Sequence, residues 1–152
     1  MGTYSQIHLQ FVFAVKYRNA SIHPSWKIEL YKYITAIVQN HGHKMICING
    51  MPDHIHILVG MRTTQTVSDL LREIKSYSSK WINERRLVVG RFEWQEGYGA
   101  FSYGKSQIRN VINYIKDQEQ HHKTIPLRME YESFLKEEGI NYDEKYIFKE
   151  MV

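Results

Sequence analysis

The order of hydrophobic patterns along this 152-residue chain predicts an α+β fold. The expected form is a ferredoxin-like split β-α-β unit: an antiparallel sheet, helices packed on one face, and an extra tyrosine-bearing helix towards the C-terminus. Three observations carry that expectation. Period-two alternation over residues 4–16, 44–49 and 54–61 marks strands, whereas stripes of period 3.6 that begin near Pro24, Thr66 and Ser106 mark helices. The link Gly50–Asp53 is too short for anything but an antiparallel hairpin. The resulting order is strand, helix, strand, strand, helix, strand, helix. The length fits a single domain over 1–152, with a core over about 4–123 and a C-terminal helix and tail over 126–152.

Taken in order, the first strand sets Ile7, Leu9, Phe11, Phe13 and Val15 on one face and His8, Gln10, Val12 and Ala14 on the other. It exits into Lys16-Tyr17-Arg18-Asn19. Pro24 suits a first helical turn, where its missing N–H is no loss. Ile28, Tyr31, Ile34, Ile37 and Val38 repeat at helical spacing until Gly42, and the flanking His41 and His43 read as a surface turn. Lys44–Asn49 is the second strand, in which Cys47 is a small buried hydrophobe.

Thr66 is placed to cap the next helix, with Asp69 three residues on. Its stripe is Val67, Leu70, Leu71, Ile74, Tyr77/Ser78 and Trp81, and its other side carries Arg72, Lys75 and Lys80. Short strands are expected over Val88–Trp94 and Gly99–Tyr103. Ser106 then caps a helix running to about His122 with Ile108, Val111, Ile112 and Ile115 buried. Leu127–Glu138 forms the last helix, closed by Gly139.

Composition bounds the partners. Lysine and arginine number 20 against 16 acids, giving a net charge of +4 and a pI near 9.1. That tilt permits an anionic partner without requiring one. A lone cysteine excludes an internal disulfide framework and suits a reducing compartment. The first ten residues lack a signal-peptide pattern, and no apolar run approaches the ~20 residues a membrane span needs. A cytoplasmic protein with no membrane contact is expected.

The chemistry centres on Pro52-Asp53-His54-Ile55-His56-Ile57-Leu58-Val59. On a strand His54 and His56 share a face, and two neutral imidazoles one repeat apart can grip a cation if a third ligand arrives. By itself such a pair is equally well a polar strand face. Asp53 can hold the second nitrogen of a ligand histidine or shape the turn. On the third helix Tyr114 and Gln118 are four apart and therefore neighbours, which brings a phenol and a carboxamide oxygen to one place. Ligand softness alone favours zinc or iron for an imidazole pair. His121, one turn further on, reads as a histidine near a helix C-terminus, where positive charge is favoured. The basic exit with Lys16 and Arg18, together with Arg72, Lys75 and Lys80, offers contacts for a phosphate backbone.

The chain resembles the single-tyrosine HUH transposases of the smallest bacterial insertion sequences, the REP-associated tyrosine transposases included. The resemblance rests on His54-Ile55-His56 within Pro-Asp-His-Ile-His-Ile-Leu and on Tyr114 with Gln118 as Tyr-x-x-x-Gln. It extends to the opening Phe-Val-Phe-Ala-Val-Lys-Tyr-Arg and the closing Phe-Leu-Lys-Glu-Glu-Gly-Ile-Asn-Tyr-Asp-Glu-Lys-Tyr, so it spans nearly the whole chain. It implies a metal-dependent enzyme that cleaves and rejoins single-stranded DNA. Tyr114 would be the nucleophile, forming a 5′-phosphotyrosine, with Mg²⁺ or Mn²⁺ held by His54, His56 and Gln118. The substrate would carry a hairpin near the element end. A homodimer with the tyrosine helix acting in trans is also implied. A domesticated relative acting on repeated palindromes shares all of these motifs. A non-catalytic ferredoxin-like nucleic-acid binder is the contrasting class, and it would need neither metal nor Tyr114.

Overall fold

The structure, a computed structural model, describes residues 1–19 and 21–118 together with the single positions 120 and 136. The helix expected over Leu127–Glu138, the tail after it and His121 lie outside the described residues, Lys136 excepted. The elements are β1 (His8–Ala14), α1 (Lys27–Asn40), β2 (Lys44–Met51), β3 (His54–Gly60), α2 (Val67–Glu84), β4 (Gly99–Tyr103) and α3 (Ile108–Lys116), with short 3₁₀ turns at Lys16–Arg18 and Lys105–Gln107. The four strands form one antiparallel sheet in the order β2-β3-β1-β4. β3, which carries the histidines, is thus an inner strand.

Alternation decides what each face meets. Phe11, Phe13 and Val15 of β1 and Ile55, Ile57 and Val59 of β3 enter the main core with Leu30, Ile34 and Val38 of α1 and Leu70, Leu71, Ile74 and Ile82 of α2. Two helices therefore cover one face. Thr66 caps α2 as its sequence requires, accepting from the Asp69 amide at 3.2 Å. The β2–β3 connection needs the glycine it has: a Cβ on Gly50 would sit 2.2 Å from the carbonyl oxygen of His54.

The opposite face carries α3. Val111 and Ile115 pack on Cys47 and Leu58, with Ile108, Ile112, Tyr103 and Tyr114 around them. Each such aliphatic side chain contributes about 1.5–3 kcal/mol on burial.

Expectations fail at several positions. His43, read as part of a surface turn, is buried and accepts from the Arg62 amide at 2.9 Å. Val88–Trp94 forms no strand, because only Trp94 bridges, to Val15. The Asn83 side chain donates to the Phe92 carbonyl at 3.0 Å and accepts from the Phe92 amide at 2.8 Å, taking the place of a neighbouring strand. The third helix also lacks the expected Ser106 cap, and of its expected last residues 119, 121 and 122 lie outside the described residues. It opens through the 3₁₀ turn after Gly104 and ends at Lys116, with Asp117 a turn residue and Gln118 helical again.

Candidate active site

His54 and His56 point from β3 toward α3, and both are buried, at 1% and 0% exposure. Their rings lie 5.1 Å apart, centroid to centroid, at 76°. Each ring is held through Nδ1. Asp53 Oδ1 stands 2.7 Å from His54 Nδ1, and Gln10 Oε1 stands 2.8 Å from His56 Nδ1. A carboxylate and an amide oxygen can only accept, so both rings donate from Nδ1 and turn Nε2 into the site. The amide orientation of Gln10 follows from its other bond, in which Nε2 donates to the Tyr103 hydroxyl at 2.9 Å.

Asp53 is itself anchored. Arg18 donates to its Oδ2 from Nε at 3.0 Å and from a terminal nitrogen at 2.7 Å. Burial alone would raise the Asp53 carboxyl, but the hydrogen bond and charge of His54, with the charge and hydrogen bonds of Arg18, outweigh it and hold the group at about 2. Bringing Arg18 there requires unusual backbone: Tyr17 and Arg18 both have positive φ, 60° and 58°. Left-handed conformations at consecutive non-glycine residues persist only where the surroundings impose them. The imposing bonds are Arg18 N to Val15 O at 2.9 Å, Val15 N to Asp53 O at 2.8 Å and Ile22 N to Pro52 O at 2.9 Å.

From the other side α3 brings Tyr114, and Gln118 follows two residues past its end. The ring of Tyr114 lies edge-on to His56, 5.8 Å between centroids at 80°, and its hydroxyl oxygen is buried. Gln118 is fully buried, donates from Nε2 to the Tyr114 carbonyl at 3.2 Å, and so directs Oε1 at His54 Nε2, 3.3 Å away. The chain end of α3 is pinned by Asn49, whose Nδ2 donates to the carbonyls of Ile115 and Lys116, both at 3.0 Å. All four expected site residues therefore meet within one chain.

The donor set fits a divalent cation. His54 Nε2 and Gln118 Oε1 face each other at 3.3 Å in a buried site, so a cation seated between them would be bound by both. That separation suits adjacent ligands whose bonds to one ion are about 2.1 Å. His56 Nε2, also buried, completes two imidazole nitrogens and one amide oxygen.

The basic residues divide. Arg72 and Lys80 are about 70% exposed, near Asp69 and Glu84 of their own helix. Lys16 pairs with Glu93 at 3.0 Å and Arg18 with Asp53. Lys75 is half-buried and donates to the carbonyls of Gln95 and Gly97. Gln10, Asn49 and Tyr103 were not singled out as functional from sequence, although a carboxamide in the middle of an apolar strand is a signal for Gln10.

The profile of a family described as "Transposase IS200 like" matches residues 3–118. The ISDra2 transposase TnpA of Deinococcus radiodurans is 21% identical over 122 residues, covering 77% of this chain and 87% of the relative. A crystal structure of a candidate transposase from Deinococcus radiodurans superposes with a TM-score of 0.61 at 18% identity, over 78% of this chain and 95% of that one. The structure of a REP-associated tyrosine transposase bound to a REP hairpin gives 0.62 at 15% identity, over 82% and 76%. With the matched segment running from before β1 to the glutamine that meets His54, this chain belongs to the IS200-like transposase family.

Proposed function

We propose that this protein cleaves and rejoins single-stranded DNA by tyrosine transesterification, within a single HUH domain over 1–152 built as a ferredoxin-like unit with an added tyrosine helix. The observation that carries the reading is the meeting of Tyr114 with His56 and of Gln118 with His54 in one buried site. His54 and His56 through Nε2, and Gln118 through Oε1, would hold Mg²⁺ or Mn²⁺, which when bound polarises the scissile phosphate. Tyr114 attacks phosphorus in line, forming the phenolic O–P bond while the bond to the 3′ oxygen breaks. The phenol loses a proton and the leaving 3′ oxygen gains one. The 5′-phosphotyrosine keeps the ester, so a later 3′-OH can reverse the step without water or ATP. Asp53 and Gln10 keep both Nε2 lone pairs turned into the site throughout.

The solved relative is a transposase bound to a REP hairpin, and hairpin-bearing single-stranded DNA is the substrate we carry to this chain. Arg72 and Lys80 are the backbone contacts proposed on α2; Lys16, Arg18 and Lys75 would have to leave the partners described above to join them. The likeness to a REP-associated enzyme equally supports a domesticated role on repeated palindromes, with the same chemistry. The homodimer remains part of the proposal. In that homodimer the tyrosine helix acts in trans, and mixing Tyr114→Phe with His56→Ala protein tests it: activity regained only on mixing means exchange in trans, and none regained means attack in cis.

The direct test is to trap the adduct on single-stranded hairpin DNA with Mn²⁺ and map it by mass spectrometry. Tyr114→Phe should abolish the adduct and leave hairpin binding within about twofold, since one buried hydroxyl is removed. An adduct that survives on another tyrosine, or activity intact without Tyr114, overturns the reading.

A further inference from the structure

Beside the nucleophile, between β4 and the first turn of α3, lies a cleft of about 210 Å³ lined by Gln10, Tyr103, Gln107, Asn110, Val111 and Tyr114. Its composition is selective. The walls are two phenol rings and a valine, and the polar groups are three carboxamides; no charged side chain among the described residues lines it. A phosphate or a metal ion would find no countercharge there. A flat aromatic solute with hydrogen-bonding edges would find both faces and partners, because carboxamides pair with base edges and tyrosine rings with base faces. The volume falls below that of pockets for drug-sized ligands and suits one base.

We propose that this cleft holds and reads the base of the nucleotide on the 3′ side of the scissile phosphate, the one that stays on the enzyme as the 5′-phosphotyrosine. The proposal rests on the transesterification reading above. In-line attack puts the leaving 3′ oxygen, and the strand behind it, on the side of phosphorus away from the phenol. The retained nucleotide instead stays tethered to the Tyr114 oxygen through its 5′ phosphate, which keeps its base within reach of a cleft walled by that same ring. Asn110 is the reading residue: it is exposed at the cleft, and its side chain makes no hydrogen bond to a described residue. Gln107 is partly committed, since its Oε1 accepts from the Gly104 amide at 2.8 Å. Gln10 is fully committed between His56 and Tyr103. The cleft thus shares a wall with the group that orients a ligand histidine, so the base seated there sits one hydrogen bond from the site's own scaffold.

The test uses a hairpin-bearing oligonucleotide that the wild-type protein with Mn²⁺ converts to adduct, resynthesised with each of the four bases and with an abasic site immediately 3′ of the scissile phosphate. The abasic strand should react about tenfold more slowly or worse, and the four bases should spread over a similar range. Asn110→Ala should compress that spread to within about twofold at an unchanged melting temperature, and Asn110→Gln should restore part of it. Equal rates for abasic and normal strands, or an undiminished spread in Asn110→Ala, overturn the base-reading role while leaving the transposase reading intact. Absence of adduct from every strand overturns both.

Discussion

Gln10 is the residue on which the orientation of His56 depends, and Gln10→Leu removes its function with little change of volume. Two hydrogen bonds are lost, to His56 at 2.8 Å and to Tyr103 at 2.9 Å, at a fully buried position. Each contributes about 1 kcal/mol net, and the imidazole N–H left inside the protein adds a desolvation penalty of about 1–3 kcal/mol. The gain from a more apolar side chain, about 1 kcal/mol, offsets part of this. The net loss is about 2–4 kcal/mol, or roughly 4–16 °C in melting temperature for a chain of this size. The larger effect falls on metal affinity. Without an acceptor at Nδ1, His56 is no longer held with Nε2 directed at the site, and loss of such a partner costs about 10–100-fold in affinity. Calorimetric titration of Mn²⁺ into wild type, Gln10→Leu and Gln10→Glu measures this directly; the glutamate restores an acceptor and should restore affinity. A Gln10→Leu protein that binds Mn²⁺ within twofold of wild type would refute the argument that this bond sets the ligand.

Two further outcomes follow from other contacts. Asn49→Ala uncovers the last carbonyls of α3 and should lower stability by about 1–2 kcal/mol in urea titration, with slower adduct formation because Gln118 follows that helix end; an unaltered midpoint would speak against the cap. Burial holds the Lys75 ammonium down at about 8 against 10.5 when unfolded, with Glu96 opposing weakly. Below pH 8 it is charged in both states. Between pH 8 and 10.5 the unfolded chain binds the extra proton, so wild-type stability should rise there relative to Lys75→Met; parallel stability curves for the two proteins would dismiss the effect.

How much of this was legible in sequence depends on the range of the forces involved. His54-Ile55-His56 could be read because alternation along one strand is local, and Tyr114 with Gln118 because four-residue spacing is local. Even there the helix breaks at Asp117, and Gln118 reaches the site from the next helical residue. Gln10, Asn49 and Tyr103 could not be placed, since their roles come from register: β1 pairs Val12 with His56, β2 pairs Asn49 with His56, and β4 sets Tyr103 beside His8. The fates of the basic residues were equally hidden. Lys75 and Arg72 lie on the same helix three residues apart, yet one turns onto the carbonyls of a loop that no helical pattern reveals. Val88–Trp94 misled because its composition suits a strand while a single asparagine satisfies the backbone instead.

The two layers over the sheet are fastened very unequally. Among the described residues, the helices on the histidine-free side share the main body of apolar packing, whereas the helix bearing the nucleophile rests on a smaller patch around Cys47, Leu58, Val111 and Ile115. Cooperative opening proceeds where the fewest apolar contacts must part. Among the described residues, parting the nucleophile's helix from the sheet would uncover less apolar surface than parting the two helices opposite, so the site's reactive half carries the smaller share of the packing.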